Sequence, residues 1–474
     1  MHKNIFLWAF ISVAFNYLFL NRLVESSSLV VGIITAVVLF LAFVIVYALI
    51  LQKYIAKYLL GFLIIGNSTA LYFMQTYNVE IDKIMMINVF QTDSAEIGAL
   101  ISIKMLWFVL IDVLLFYLLV KCNFDFQNWK VNLQQRVKVI IICAILLALI
   151  LLPFVNKLDT FVQEKKHLLY LMLPTNYISS AISAIKILQK HDAIKPLNKK
   201  AEINHYWKDK NRKNLIIVVV GESVRDANYS LSGYKRDTNT YLKPFKDDMM
   251  IFRKTKACGT STSISVPCMF SVYGQENFIP GSASYLENVL DVFKYNGYKV
   301  IWRENNSSCK GNCTRVITEV FCQDNSCPDG LMQTDLKEKI KSLNNNAVIV
   351  LHQYGSHGPD YFLRYPEEFE KYKPVCKSQI LKDCEYQEIV NAYDNSIVYN
   401  SYLASEMLKD LQTLGDEYNI VVFYTSDHGE SLGEEDIYLH SAVYDRAPKY
   451  QTEIPFWVWM PKSTQLNMNY IKNV

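Results

Sequence analysis

The residues best suited to chemistry in this chain each follow a run of apolar, largely β-branched residues. Glu222 follows NLIIVVVG, His357 follows NAVIVLHQYGS, and Asp427 with His428 follows YNIVVFYTS. In a mainly parallel sheet the strands end at one edge, and ligands bind just beyond that edge. We therefore expect these side chains to meet there, together with His440 further along the chain.

Carboxylate and imidazole groups brought together in this way favour a borderline divalent ion, zinc before manganese. Three protein ligands leave a position for a nucleophile, and a bound metal lowers the pKa of a hydroxyl. The stretch CGTSTSISVPC, residues 258–268, supplies hydroxyl groups between two cysteines. A disulfide would hold this loop rigid over the metal. The pattern alone does not choose among Thr260, Ser261, Thr262, Ser263 and Ser265.

The elements that must position these residues alternate between strand and helix in the second half of the chain. Further strands are predicted at YKVIWREN and IPFWVWM, and helices at YLENVLDVFKYNG and IVNAYDNSIVYNSYLASEMLKDLQTLG. This alternation predicts an α/β fold with a mainly parallel sheet. Continuous apolar runs are typical of strands that are buried on both faces.

The first half of the chain is apolar and predicts a five-helix transmembrane bundle. Each apolar segment is long enough to cross a hydrocarbon core of ~30 Å: 5–19, 29–51, 58–73, 100–120 and 137–154. Basic residues in the connections near 53–57 and 121–138 favour the cytoplasm for those loops. An odd number of spans then puts everything after residue 154 outside. We expect a transmembrane domain over 1–155, an amphipathic linker over 156–210 and an exported domain over 211–474.

The cysteines agree with export. Of the 10 cysteines, Cys122 and Cys143 lie in the apolar half. The others form close pairs, for which disulfides are favoured over zinc knuckles in an exported domain. The simplest pairing joins nearest neighbours: Cys258 with Cys268, Cys309 with Cys313, Cys322 with Cys327, and Cys376 with Cys384. The net charge of +3 is too weak to favour a nucleic-acid partner.

Several motifs resemble those of a known family. The second half is similar to the catalytic domain of the alkaline phosphatase and sulfatase superfamily, an α/β/α fold. More narrowly, the chain resembles the membrane-bound phosphoethanolamine transferases that modify lipid A, which include the colistin-resistance enzymes. The matching pieces are VVVGESVRDANYSLSGYKRDT, ACGTSTSISVPCMFS, ENVLDVFKYNGYKVIWREN, LHQYGSHGPDYFLRYP, NAYDNSIVYNS, YTSDHGESLGE and YLHS.

The resemblance implies a role for particular residues. Thr262 matches the nucleophile that becomes phosphoethanolamine-bearing, and with it Glu222, Asp427 and His428 match the ligands of a first zinc ion. His357 and His440 match residues near the transferred group, which in the family bind a second zinc or the phosphate. Lys310 falls where the family often has a lysine near the phosphate.

A second match lies in the apolar half. NVFQTDSAE resembles the family's periplasmic segment between the third and fourth spans. Asn88, Thr92 and Glu96 are spaced by four, so on a helix they share one face. The resemblance favours binding of the donor's ethanolamine headgroup there, against a helix that merely has a polar side. Family members usually continue past the IPFWVWM strand, so this chain, ending at Val474, is expected to be short or clipped.

The resemblance implies a zinc-dependent transfer of phosphoethanolamine from phosphatidylethanolamine to lipid A or a related envelope acceptor. A threonyl intermediate would form and diacylglycerol would leave. The protein would be a monomer in the bacterial inner membrane, with its catalytic domain in the periplasm. A phosphoglycerol transferase of the teichoic acid type and a binding protein without catalysis are the alternatives. A sulfatase is disfavoured because the C-x-P-x-R motif and its serine form do not occur.

Overall fold

The computed structural model describes residues 2–92, 97–98, 100–122, 124, 129–154, 166–189, 211–321 and 327–464. The chain forms two compact units. One comprises Met1–Met86 with Ser102–Ser183, and the other comprises Ile87–Ile101 with Ala184–Val474.

The first unit is helical, which confirms the expected bundle of apolar helices. In chain order the helices are α1 His2–Phe15, α2 Tyr17–Ser26, α3 Leu29–Ile50, α4 Ala56–Tyr77, α5 Lys83–Gln91, α6 Met105–Lys121, α7 Trp129–Leu151 and α8 Thr175–Leu188. The last residues of α5 and of α8 belong to the second unit. Among the described residues, α3, α4 and the Lys130–Leu151 part of α7 are long and apolar enough to cross a membrane. The 17-residue α6 lies where the fourth span was predicted.

The first predicted span is not one straight helix. The pair α1 and α2 is bent by 55°, and Asn16 lies at the break. The Asn16 amide explains the bend: it donates to Leu173 O at 2.8 Å and accepts from Leu173 N at 2.9 Å. Hydrogen bonds between the Asn16 side chain and the Leu173 backbone stabilise the chain in its bent form, where the regular helical hydrogen bonding is interrupted.

A buried arginine joins α3 to α7. Arg136 on α7 donates to Ala48 O at 2.7 Å and to Leu51 O at 2.5 Å. Carbonyl groups at the end of a helix have no intrahelical partner, so the guanidinium caps the carboxyl end of α3. The positive charge also complements the negative end of the helix dipole.

The second unit contains a seven-stranded sheet with strand order β2-β9-β6-β1-β5-β3-β4. Its strands are β1 Lys213–Gly221, β2 Met249–Lys256, β3 Lys299–Glu304, β4 Ile317–Val320, β5 Ala347–His352, β6 Tyr418–Ser426 and β9 Glu453–Trp459, with β7 Ser431–Leu432 and β8 Tyr438–Leu439 in a separate hairpin. Strands β6, β1, β5, β3 and β4 are parallel to one another, whereas β9 runs antiparallel to both of its neighbours, β6 and β2. The predicted mainly parallel sheet is confirmed.

Helices and disulfides complete this unit. Its helices are α9 Thr262–Phe270, α10 Val289–Tyr295, α11 Leu336–Leu343, α12 Tyr386–Gln412 and α13 Lys449–Thr452. Disulfides join the nearest-neighbour pairs Cys258–Cys268, Cys309–Cys313 and Cys376–Cys384. Cys327 is disulfide-bonded, while Cys322 lies outside the described residues.

Candidate metal centre and pocket

Two neighbouring strands bring two carboxylates together. Glu222 directly follows β1 and Asp427 directly follows β6, and the register pairs Gly221 with Ser426. The backbone continues this pairing, because Asp427 N donates to Gly221 O at 2.9 Å. Asp427 Oδ1 accepts from the backbone N–H of Ser223 at 3.1 Å. The end of the sheet therefore fixes both carboxylates side by side.

A glycine allows the backbone to approach this edge closely. Gly355, in the loop after β5, has φ +53°, and an added Cβ would lie 2.7 Å from Glu222 O and 2.8 Å from Glu222 N. The next residue, Ser356, donates from its backbone N–H to Glu222 O at 2.9 Å. Any side chain at position 355 would clash with the Glu222 backbone, so glycine is what lets the loop that carries His357 lie this close to the end of β1.

Glu222, Asp427 and His428 form the cluster that the sequence predicts. Each offers one ligand atom, these atoms lie within 4.8 Å of one another, and all three side chains are fully buried. Asp427 Oδ2 lies 3.2 Å from His428 Nε2 and accepts no hydrogen bond from any described residue. A buried carboxylate oxygen without a donor is costly unless a cation satisfies it.

The His428 ring is oriented as a ligand. Its Nδ1 lies 3.0 Å from Gly429 O, so Nδ1–H donates to that carbonyl and Nε2 faces the carboxylates. Metal-binding histidines commonly donate their other ring nitrogen to a carbonyl in this way. Nε2 lies 3.4 Å from Glu222 Oε1. At that position it holds a proton or a metal ion between two acids.

The electrostatics of the cluster also fit a cation. Burial and the negative charge of Glu222 raise the pKa of Asp427 well above its ordinary value. For Glu222 burial acts in the same direction, but the positive charge of His428, with His357 and His440, outweighs it and lowers the pKa. Two adjacent buried carboxyl groups with pKa values moved apart indicate a site that is short of positive charge. The donor set of two carboxylates, an imidazole and a hydroxyl suits zinc.

The structure distinguishes among the hydroxyl groups of the 258–268 loop. Thr262 is the first residue of α9, and its Oγ1 lies 3.1 Å from Glu222 Oε2 and 3.4 Å from His428 Nε2. The other hydroxyls are engaged elsewhere. Thr260 Oγ1 donates to Ala442 O, Ser261 pairs with Ser263, Ser263 donates to Asn88, and Ser265 donates to Asp427 O. Thr262 alone among these five contacts the carboxylate and imidazole ligands through its hydroxyl.

A pocket beside Thr262 gathers the remaining predicted residues. Asn88, Thr92, Lys310, His357 and His440 line it. Within it, Lys310 Nζ donates to Ser307 O at 2.7 Å and to Gln91 O at 3.4 Å. The amide of Asn88 donates to Ser441 Oγ at 2.9 Å, next to His440. Glu96 lies outside the described residues.

A buried glutamate beside His440 was not predicted. Glu430 is fully buried, and its Oε2 lies 3.2 Å from His440 Nδ1. A carboxylate that accepts Nδ1–H fixes the tautomer of a histidine, so that Nε2 faces the substrate. Glu430 lies in the motif YTSDHGESLGE, so the sequence contained an acid close to the expected cluster. The motif does not indicate that this acid contacts His440.

Comparison with known proteins gives the family. The model of the Sulfatase family matches residues 214–472, and the model described as phosphoethanolamine transferase EptA/EptB matches residues 39–188. The chain is 35% identical over 418 residues to phosphoethanolamine transferase EptA of Escherichia coli strain K12, covering 85% of this chain and 75% of that protein. It is 34% identical over 453 residues to phosphatidylethanolamine transferase Mcr-1 of Escherichia coli, covering 90% and 83%.

A solved structure is similar over both units. The integral membrane protein lipooligosaccharide phosphoethanolamine transferase A of Neisseria meningitidis matches with a TM-score of 0.90 and 30% identity, covering 97% of this chain and 88% of that one. Sequence relatives, family models and fold agree on the same family. The chain therefore belongs to the phosphoethanolamine transferase family, as an integral membrane member with a sulfatase-like α/β domain.

Proposed function

We propose that this protein moves phosphoethanolamine from phosphatidylethanolamine to lipid A or a related envelope acceptor, through a covalent intermediate on Thr262. The observation that carries the proposal is the position of the Thr262 hydroxyl. It lies at a helix N-terminus, within hydrogen-bond distance of Glu222 and beside His428 and Asp427. A nucleophile needs an acceptor for its proton, which Glu222 supplies, and its oxygen is favoured by the positive end of a helix dipole, which the start of α9 supplies.

Glu222, Asp427, His428 and Thr262 would hold one zinc ion, and its charge lowers the pKa of a hydroxyl bound to it. The protein's own residues account for the rest of the first step. Thr262 Oγ1 forms a bond to phosphorus while the bond from phosphorus to the diacylglycerol oxygen breaks. The proton leaves the Thr262 hydroxyl toward Glu222, to which it already donates.

Groups around the pocket would protonate the leaving oxygen and stabilise the negative charge on the equatorial oxygens of the phosphoryl group. His440, oriented by Glu430, can give a proton to the diacylglycerol oxygen as it leaves. His357 lies next to it, with 5.6 Å between the ring centroids, and the two histidines could also hold a second zinc ion. The positive charge of Lys310 would stabilise the equatorial oxygens of the phosphoryl group.

The second step would reverse the first with a different oxygen. A phosphate or sugar hydroxyl of the acceptor attacks phosphorus and gives its proton to His440, while the bond to Thr262 Oγ1 breaks and Glu222 returns its proton to the threonine oxygen. Asn88, Thr92 and Glu96 remain the proposed contacts of the donor headgroup. We further propose that the enzyme is a monomer of the inner membrane whose α/β domain over 211–474 lies in the periplasm, linked through 156–210 to the membrane domain over 1–155.

The test is the mass of the protein after incubation with its donor. Full-length protein in detergent is mixed with phosphatidylethanolamine, and intact and peptide masses are taken. A phosphoethanolamine adduct on the peptide that contains Thr262 is expected for the wild type and absent from Thr262→Ala. Ser261→Ala is the matched control, because it removes the adjacent buried hydroxyl, whose one side-chain hydrogen bond among the described residues is with Ser263. That variant should keep the adduct.

Two further arms separate the alternatives. Removal of metal with EDTA should prevent the adduct, and added zinc should restore it. An adduct from phosphatidylglycerol but none from phosphatidylethanolamine would replace the donor in the proposal. An adduct that survives in Thr262→Ala would refute the assignment of the nucleophile.

A further inference from the structure

A buried acid and a buried histidine lie behind the metal cluster, and neither is one of its ligands. Glu304 ends β3 and His352 ends β5, and the register pairs these two residues directly. Their exposed fractions are 3% and 0%. A buried ionisable pair is retained at a cost in desolvation, so it is expected either to specify structure or to serve a nearby site.

The carboxylate of Glu304 is fixed by three donors. Trp302 Nε1 donates to Oε2 at 2.7 Å, and the backbone N–H of Asn306 donates to Oε1 at 2.8 Å. His352 Nδ1 lies 2.8 Å from Oε1 and 3.0 Å from Oε2. Burial by itself lowers the pKa of His352, but the Glu304 carboxylate outweighs it and raises the pKa. The pair is therefore held together by charge as well as by hydrogen bonds.

Asn306 connects this pair to the metal cluster. Its Nδ2 donates to Glu222 Oε2 at 2.8 Å and to Gln353 O at 2.9 Å. Its Oδ1 accepts from the backbone N–H of Ser307 at 2.6 Å, which fixes which end of the amide faces Glu222. His352 Nε2 lies 3.4 Å from the same Nδ2. Glu304 thus holds the backbone of Asn306, and His352 lies against its amide.

We propose that Glu304 and His352 are positioning residues for the metal centre, which act through Asn306 to hold Glu222 in its ligand orientation. The inference rests on the metal site of the proposed function. Ser223 Oγ fixes the other carboxylate oxygen, donating to Glu222 Oε1 at 2.7 Å. With Asn306 displaced, Glu222 would keep one of these two bonds and could rotate away from Asp427 and His428.

The expected effect is on zinc affinity. Groups that orient a ligand from behind change metal affinity by about 10- to 100-fold when they are removed. Glu304→Gln keeps the size of the side chain but removes one of the two acceptor oxygens and the charge that holds His352. We expect zinc to bind about 10-fold or more weakly to this variant, measured on the full-length, metal-stripped protein by competition with a fluorescent chelator.

The matched control is Asp394→Asn. Asp394 is a fully buried carboxylate with three side-chain donors, namely Asn228, Tyr234 at 3.0 Å and Arg236 at 2.9 Å. None of these donors contacts Glu222, Asp427 or His428 in the described structure. Asp394→Asn should lower thermal stability and leave zinc affinity unchanged, so it separates a general loss of stability from loss of ligand orientation.

Two more variants test whether Glu304 and His352 act together on Asn306. Trp302→Phe removes one donor to Glu304 with little loss of bulk, and should weaken zinc binding less than Glu304→Gln does. If both residues act through Asn306, the double variant of Glu304→Gln with His352→Gln should lose little more affinity than the stronger single variant.

Wild-type zinc affinity in Glu304→Gln would overturn the inference, and so would an equal loss in Asp394→Asn. No lipid is present in this measurement, so its outcome is independent of transfer. Weakened zinc binding in Glu304→Gln together with a failure to form any lipid adduct would support the inference while refuting the proposed reaction.

Discussion

Replacing Glu430 by glutamine tests whether His440 works as an acid whose tautomer the protein controls. Glu430 is fully buried and its Oε2 lies 3.2 Å from His440 Nδ1. The amide of Glu430→Gln has nearly the same shape but can also turn its NH₂ toward Nδ1. In that state Nδ1 accepts a hydrogen bond and cannot also hold a proton, so the ring loses the carboxylate that stabilises its doubly protonated form and Nε2 becomes a much weaker proton donor.

The size of the effect follows from the geometry. In serine proteases, the equivalent carboxylate-to-amide change lowers kcat by about 10⁴ because the histidine takes the wrong tautomer. Strong charge-assisted N–H···O bonds are about 2.7–2.9 Å long. The 3.2 Å separation here is longer. We therefore expect a smaller loss of about 10²-fold, or about 2.7 kcal/mol of transition-state stabilisation.

The assay is single-turnover formation of the Thr262 adduct from phosphatidylethanolamine, with zinc content and the KM of steady-state transfer measured alongside. Zinc bound by Glu222, Asp427 and His428 should be unchanged, and so should KM, because in the described structure the Glu430 carboxylate contacts His440, does not itself line the pocket and contacts none of those three residues. Glu434→Gln is the control: this acid pairs with Arg225 at 2.7 Å and contacts neither pocket histidine. Adduct formation at the wild-type rate in Glu430→Gln would refute the role given to His440.

Four further predictions concern the metal and the stability of the α/β unit. Because the pKa of Asp427 is raised, the metal-free protein keeps a proton that zinc must displace, so apparent zinc affinity should rise with pH by up to about tenfold per unit until that pKa is passed. This proton stabilises the metal-free fold most below the unfolded-state pKa of about 3.9, and the stabilisation is lost as pH rises through the raised pKa of Asp427. The increase in melting temperature caused by zinc should therefore grow over that pH range. Arg225→Met removes the partner of Glu434 and should lower the free energy of unfolding by about 3 kcal/mol, measured by denaturant titration. Replacing Cys258 and Cys268 together by alanine opens a loop with a sequence separation of 10 and should lower it by about 3 kcal/mol in the same titration.

The sequence predicted the central strands well because of where they lie in the sheet. β5 is buried at every residue, and β1 lies between β5 and β6. Strands in that position are apolar over most of their length, and a short run of β-branched residues closed by Gly or polar residues favours a buried strand. The edge strands β2 and β4 were missed for the converse reason. β2 is MMIFRKTK and mostly exposed, and β4 has only four residues.

The cluster of Glu222, Asp427 and His428 was predictable and the choice of hydroxyl was not, except through family resemblance. Each ligand directly follows a recognisable strand, so its place at the sheet edge is given by the strand itself. Thr262 differs from its neighbours only because α9 begins with it, which turns its hydroxyl toward Glu222 and turns that of Ser263 toward Asn88. The start of a helix is uncertain by one or two residues from sequence, and a shift of one residue changes which hydroxyl faces Glu222 and His428.

The contact between Glu304 and His352 could not be predicted from the sequence because it depends on the register of β3 against β5. Glu304 contacts His352 because β3 and β5 are neighbours paired with Glu304 opposite His352, although the residues are separated by 48 positions in the chain. In the sequence, Glu304 looks like the polar end of a strand and His352 like a histidine that faces the core. A shift of one residue in this pairing would move His352 away from the acid and leave a buried charge without a partner. The Glu304–His352 contact therefore supports both the register of β3 against β5 and, in our proposal, the orientation of Glu222. Loss of register would lower stability, whereas loss of the Glu222 orientation would lower zinc affinity, so zinc affinity is the measurement that tests the positioning role.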